Sequence, residues 1–251
     1  MIGDSPEAFT FINPAQRIAH RGGGSLAPEN TLAAFRASLD TGLTAFECDV
    51  KLSVDGVPFL LHDDLLDRTT AASGRASWKP WSQLARVDAG RKFDPRFGGE
   101  CIPSLADLAE LIAGHDVWLN LEIKPDADAS AARQADWGLR IALQAARLWA
   151  GSPQQPCLSS FSIPALQGAR QAAPDLARAW LCERLPRRWR EVAQALDLAA
   201  LHLDASQCTP AFIAEVQALG LNLRAYTVND PSSVARFLAA GVGVFTDALG
   251  S

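Results

Sequence analysis

The sequence predicts an α/β protein of the (β/α)8 barrel type. Short apolar, strand-like runs alternate with amphipathic, helix-like segments, the pattern of a parallel sheet covered by helices. Eight such runs fall at residues 17–20, 45–49, 117–124, 157–161, 178–182, 198–203, 222–227 and 242–246. The chain has 251 residues, a length at which eight β/α units make one barrel. A single domain over residues 1–251 is expected.

The first run ends in His20-Arg21-Gly22-Gly23-Gly24. Glycines after a strand let a backbone approach a phosphate, and they also make ordinary strand-to-helix turns. A helix follows over 30–41, with Pro28 and Asn30 as start signals and Gly42 as a stop. Glu29 suits the positive end of that helix. The second run continues through Leu52, and only residues 53–56 separate it from a ninth run at 57–62. Four residues cannot make a parallel crossover, whereas Asp55-Gly56 suits a hairpin. If Leu52 faces Val57, Glu47 lies opposite His62 on the face that Asp49 shares, and a slip of one residue turns His62 away.

Residues 63–103 form an insertion rich in Gly, Pro, Trp and Arg, expected as a lid or specificity element at the barrel mouth. A helix over 104–113 follows. Thr209-Pro210 caps a helix over 211–219 that Gly220 ends, and Asp230-Pro231 repeats the signal before 232–240.

Composition narrows the function. The net charge is −5 and there is no basic tract, which excludes the usual nucleic-acid footprint. An anionic substrate then needs locally concentrated positive charge, which Arg21, Lys124 and a metal ion can supply. Cys48, Cys101, Cys157, Cys182 and Cys208 are scattered and read as free thiols. The start, with Asp4 and Glu7, lacks the marks of a secretory signal, and no apolar run is long enough to span a bilayer. A cytoplasmic protein without a membrane partner is expected, and nothing in the sequence specifies an oligomeric state. Trp78, Trp81, Trp137, Trp149, Trp180 and Trp189 do not cluster and are expected in packing. No Gly-x-Ser-x-Gly surrounds Ser159-Ser160, which argues against a serine hydrolase.

Several charged residues interrupt the apolar runs. Glu47 and Asp49 stand at i, i+2 on one strand, and Glu122 and Lys124 repeat that spacing on another, so each pair shares a face. Buried charges are paired or bind metal. Salt bridges to Arg21 or Lys124 are one reading, and a hard divalent cation held by three carboxylates is the other. Cys48 points away from them into the core. His62 beside two carboxylates is a ligand or an acid/base group. His202 ends a strand and is a candidate for the mouth; His115 precedes one and is structural. Two histidines, a cation and two fixed positive charges suit displacement at phosphorus.

Ala19-His20-Arg21-Gly22, Pro28-Glu29-Asn30-Thr31, Glu47-x-Asp49-Val50, Leu61-His62-Asp63, Glu122-Ile123-Lys124, Ser160-Phe161, Tyr226-Thr227-Val228-Asn229 and Thr246-Asp247 occur in the order seen in glycerophosphodiester phosphodiesterases. The chain resembles that family from about residue 16 to about residue 249, and its bacterial cytoplasmic members most, with Arg86-Val87-Asp88-Ala89-Gly90 in the insertion. The resemblance implies a (β/α)8 barrel with a small insertion. It implies that Glu47, Asp49 and Glu122 bind one divalent cation, Mg²⁺ or Ca²⁺. It further implies that His20 and His62 are the acid/base pair, that Arg21 and Lys124 hold the phosphate, and that Phe161 and Tyr226 line the substrate pocket. Many members carry Trp where this chain has Tyr226, which alters the alcohol-side contact. The implied reaction is hydrolysis of a glycerophosphodiester, such as glycerophosphocholine or glycerophosphoethanolamine, to sn-glycerol 3-phosphate and an alcohol. Two competing readings are a phospholipase acting on intact lipids and a catalytically silent barrel used for binding.

Overall fold

The computed structural model describes residues 16–249; the terminal stretch holding Asp4 and Glu7 lies outside them. The elements run β1 (Arg17–Ala19), α1 (Leu32–Asp40), β2 (Ala45–Leu52), β3 (Pro58–Leu60), α2 (Trp81–Leu84), α3 (Leu105–Ile112), β4 (Trp118–Ile123), α4 (Ala131–Leu148), β5 (Cys157–Ser160), α5 (Ile163–Ala172), β6 (Arg178–Cys182), α6 (Trp189–Leu196), β7 (Ala200–Asp204), α7 (Pro210–Ala218), β8 (Asn222–Tyr226), α8 (Pro231–Ala239) and β9 (Gly243–Thr246). The strands pair in the order β1-β9-β8-β7-β6-β5-β4-β2-β3, and a β1–β2 pairing closes the ring. Every pairing is parallel except β2–β3, so eight strands form a closed barrel and β3 is an antiparallel appendage.

Alternation along β2 sorts its side chains. Phe46, Cys48, Val50 and Leu52 pack with Leu105, Leu108 and Trp137 in the layer between strands and helices. Ala45 packs with Trp118, Ala179 and Phe245 in a separate cluster, and Glu47 and Asp49 continue its row on the inner face. All five cysteines are free. No helix among the described residues is long and apolar enough to cross a membrane.

Helix starts follow local chemistry. The side chains of Thr209 and Asp230 cap α7 and α8, with proline in the first turn of each. Ser104 and Asp107 make a reciprocal capping box on α3. At α1 the cap is Thr31, whose hydroxyl accepts from the Ala34 amide, and Asn30 adopts a left-handed conformation (φ 57°). Asn30 is therefore not the start signal expected of it.

The hairpin forms, but its register differs from expectation by one residue. Leu52 pairs with Pro58, Lys51 with Phe59 and Val50 with Leu60. Gly56 is left-handed (φ 83°) and the Ser53 amide donates to the Val57 carbonyl, so the loop has three residues instead of four. Pairing alone would turn His62 away from the carboxylates. The strand ends at Leu60 and the chain bends, which returns His62 to the central cavity.

Residues 63–103 pack around Leu66, Ala76, Leu84, Ala89 and Ile102, which share a small core with Phe59 and Leu61. None of them lines the central cavity, so the insertion flanks the mouth and does not close over it. Five of the six tryptophans expected in packing are buried or half-buried; Trp78, at 70% exposure, is the exception. His202 is also displaced from expectation. Because β7 runs on to Asp204, His202 sits two residues below the strand end, fully buried and edge-on to Phe245 at 4.9 Å.

Candidate active site

A cavity of about 180 Å³ opens at the carboxyl ends of the strands, lined by His20, Arg21, Glu47, Asp49, His62, Asn120, Glu122, Lys124, Phe161, Leu181, Tyr226, Thr227 and Phe245. The nine side chains that the resemblance assigns to metal, acid/base, phosphate and substrate contacts all line it, and His202 does not.

Parallel pairing of β2 with β4 sets Asp49 beside Glu122 and Glu47 beside Asn120. One oxygen from each of Glu47, Asp49 and Glu122 lies within 4.8 Å of the others, and all three residues are buried. The salt bridges anticipated as an alternative also form. Lys124 Nζ lies 2.8 Å from Glu122 and 3.2 Å from Asp49, and Arg21 Nε lies 3.6 Å from Asp49. They do not satisfy the cluster, because Glu47 Oε1 is buried without a hydrogen-bond partner among the described residues. Burial presses the Glu47 pKa up to about 8, and the charges of Asp49 and Glu122 push the same way. Burial likewise raises Glu122, although Lys124 opposes it. Asp49 is held well below the usual range: burial acts upward, but Lys124, His62, Arg21 and the Asn30 amide outweigh it. Three converging carboxylates with an orphaned oxygen and no sulfur or nitrogen donor make a set that fits a hard divalent cation.

Left-handed backbone supports this cluster. Arg21 (φ 52°) turns its amide 2.8 Å from Glu47 Oε2. Asn30, left-handed as well, donates from Nδ2 to Asp49 at 2.8 Å and accepts from the Asp49 amide at 3.1 Å. Such conformations persist where the surroundings over-determine them. The glycines after His20 serve packing: a Cβ on Gly24 (φ 51°) would lie 2.5 Å from the Asp247 carbonyl.

Each histidine is backed by a carboxylate. His20 Nδ1 lies 2.7 Å from Asp247, whose other oxygen accepts from Asn229 at 3.1 Å. His62 Nδ1 lies 2.6 Å from Asp63, which Arg68 holds in turn. A carboxylate acceptor requires the proton on Nδ1, so Nε2 of each ring is free for proton transfer. The environments differ. Burial disfavours charged His20, but the Asp247 hydrogen bond and the Glu47 charge outweigh it and the pKa is raised. Burial, with Lys124 and Arg21, lowers the His62 pKa against the pull of Asp49 and Asp63.

Glu29 does not act as a helix-end charge. It bonds Arg21 at 3.0 Å and Arg68 at 2.6 and 2.7 Å, and so ties the insertion to the site. Lys51 is fully buried, bonding Asp64 at 2.6 Å and the Lys124 carbonyl at 3.2 Å. Asp247, Asp63, Arg68 and Lys51 have no role assigned from the sequence, and Asn30 only that of a helix start. The motifs Pro28-Glu29-Asn30-Thr31, Leu61-His62-Asp63 and Thr246-Asp247 contain three of them, and the i, i+2 row Glu47-Asp49-Lys51 contains a fourth.

Comparison with known proteins bears on this arrangement. The model of the glycerophosphoryl diester phosphodiesterase family matches residues 20–251. A glycerophosphodiester phosphodiesterase of Caldanaerobacter subterraneus subsp. tengcongensis is 32% identical over 232 residues, covering 92% of this chain and 93% of that one. The structure of an Oleispira antarctica phosphodiesterase, in complex with the product sn-glycerol-3-phosphate, superposes with a TM-score of 0.84 at 32% identity over 93% of each chain. An Agrobacterium tumefaciens glycerophosphodiester phosphodiesterase superposes at 0.76 with 28% identity, over 94% of this chain and 98% of that one. A family match over residues 20–251 and a relative 32% identical over 92% of this chain leave one assignment: the chain belongs to the glycerophosphoryl diester phosphodiesterase family.

Proposed function

We propose that this protein hydrolyses small glycerophosphodiesters, such as glycerophosphocholine and glycerophosphoethanolamine, to sn-glycerol 3-phosphate and an alcohol. The observation that carries the reading is a single cavity in which three buried carboxylates meet two histidines, each braced by an aspartate. Glu47, Asp49 and Glu122 hold one divalent cation, Mg²⁺ or Ca²⁺. When bound it supplies Lewis acidity toward a phosphoryl oxygen, worth several kcal/mol in the transition state.

The remaining chemistry belongs to the side chains. Arg21 keeps a buried Nε without a hydrogen-bond partner among the described residues, and Lys124 has three donors; both face charge that grows on phosphoryl oxygens. His62, whose pKa is lowered, is neutral near pH 7 and takes the proton of the attacking oxygen. That oxygen is either water, which gives sn-glycerol 3-phosphate directly, or the glycerol 2-hydroxyl, which expels the alcohol to form a cyclic phosphate that water opens to the monoester in a second step. His20, whose pKa is raised, is the proton donor to the leaving alkoxide. Phe161 and Tyr226, with ring centroids 5.8 Å apart, form a wall for the organic part of the substrate.

The test is release of sn-glycerol 3-phosphate from glycerophosphocholine and glycerophosphoethanolamine by the purified protein supplied with Mg²⁺ or Ca²⁺. Stoichiometric release of glycerol 3-phosphate and free alcohol is expected. Folded protein that releases neither, with either ion, rules the reading out.

The pH profile offers a second prediction. Activity requires neutral His62 and protonated His20, so the rate is bell-shaped, and the alkaline limb belongs to His20. Asp247→Asn removes the carboxylate that raises His20, so the alkaline limb moves to lower pH while the acid limb stays in place. An unmoved alkaline limb would separate Asp247 from the proton donor.

A further inference from the structure

The central cavity has two unlike halves. His20, Arg21, Glu47, Asp49, His62, Glu122 and Lys124 supply charge for a phosphate and a cation, whereas Phe161, Leu181, Tyr226 and Phe245 present mainly carbon. A three-carbon polyol attached to the phosphate fits the second half through its carbons, but each of its hydroxyls then leaves water and needs a partner.

Two polar atoms in the lining, outside the charged set, are buried with no hydrogen-bond partner among the described residues. They are the Tyr226 hydroxyl and Asn120 Oδ1. An unsatisfied buried hydroxyl costs about 1–3 kcal/mol. Phenylalanine at 226 would keep the aromatic wall and the edge-on contact with Phe161 without that cost. The hydroxyl therefore has no structural use that the fold reveals. Burial and the nearby charges of Glu183 and Asp204 raise the phenol pKa, so the group stays a hydrogen-bond donor.

We propose that the Tyr226 hydroxyl hydrogen-bonds a free hydroxyl of the substrate's glycerol moiety, making Tyr226 a specificity-determining residue that separates polyol phosphodiesters from alkyl phosphodiesters of the same size. The proposal rests on the phosphodiesterase reading above and adds the atom that reads the glycerol moiety. A site that pairs a buried donor with a substrate hydroxyl rejects the analogue lacking that hydroxyl, because its own donor is then stranded.

The experiment measures binding by calorimetry, in the presence of Mg²⁺, of two ligands with the same carbon count. These are sn-glycerol 3-phosphate and n-propyl phosphate, tested against the wild type and Tyr226→Phe. The wild type binds glycerol 3-phosphate more tightly. Tyr226→Phe weakens that ligand about 10-fold, leaves n-propyl phosphate unchanged or slightly tighter, and melts at the same temperature as the wild type or higher. Equal loss for both ligands, no loss for either, or a lower melting temperature that reveals a structural partner would each overturn the assignment. Hydrolysis of glycerophosphocholine by the wild type is followed in parallel. An inactive wild type that still discriminates between the ligands removes the reaction but keeps Tyr226. An active wild type with an unchanged Tyr226→Phe removes Tyr226 alone.

Discussion

His62→Ala and His20→Ala each slow glycerophosphocholine hydrolysis by about 10²–10⁴-fold, with the fold intact. Both rings are partly exposed at the cavity and hydrogen-bonded to a carboxylate, not buried in a core, so truncation leaves packing undisturbed. The two losses are not equivalent. A proton donor matters in proportion to the basicity of the leaving oxygen, so His20→Ala is substantially rescued on a diester with an aryl leaving group such as p-nitrophenol. A proton acceptor serves the attacking oxygen, so His62→Ala is rescued by neither leaving group. The double variant costs little more than the worse single one, because the two groups act in one transition state. Steady-state turnover on the two substrates checks all three statements. Near-normal turnover of either single variant, or rescue of His62→Ala but not His20→Ala, would dismantle the assignment.

Much of this site is legible in the sequence. A strand's two-residue period fixes which side chains share a face, so Glu47 with Asp49, and Glu122 with Lys124, needed only correct strand placement. Runs of buried residues on both faces mark parallel strands strongly, and all eight appear in the fold. What sequence could not supply was long-range or depended on one dihedral angle. Asp247 reaches His20 across 227 positions and is joined to it only by the closure of β1 onto β9. The hairpin register turned on whether Gly56 ends a loop of three residues or four, and its left-handed conformation decided for three. Asn30 read as a helix start because Asn favours caps, yet the same short amide also tolerates left-handed backbone, and Asp49 gave it a partner there. His202 lies below the mouth because its strand runs one residue further than its apolar pattern suggests, to Asp204.

Glu47→Gln abolishes turnover, as exhaustive chelation of the wild type does, yet it stabilises the protein when no metal is present. In the metal-free fold, three buried carboxylates crowd within 4.8 Å, and the cost falls on Glu47, pressed to about 8 from its usual 4.5. Between those two pH values the folded protein holds a proton that the unfolded chain has released. Metal-free stability therefore falls as pH rises from about 4.5 through about 8. Glutamine keeps the volume and the oxygen that accepts the Arg21 amide while removing the charge. The variant is expected to gain about 1–2 kcal/mol at pH 8 and to lose the downward slope with pH. Mg²⁺ or Ca²⁺ raises the melting temperature of the wild type, because the ion binds the folded state alone, and leaves that of Glu47→Gln where it was. Melting curves with EDTA and with each ion, beside activity on glycerophosphocholine, measure both halves. Activity that survives exhaustive chelation would remove the cation from the site. A metal-free Glu47→Gln that melts below the wild type would mean that Glu47 holds the fold together, in contrast to the strain assigned to it. The two signs belong together: the charge that makes Glu47 useful to a cation is the charge that the empty fold pays to bury.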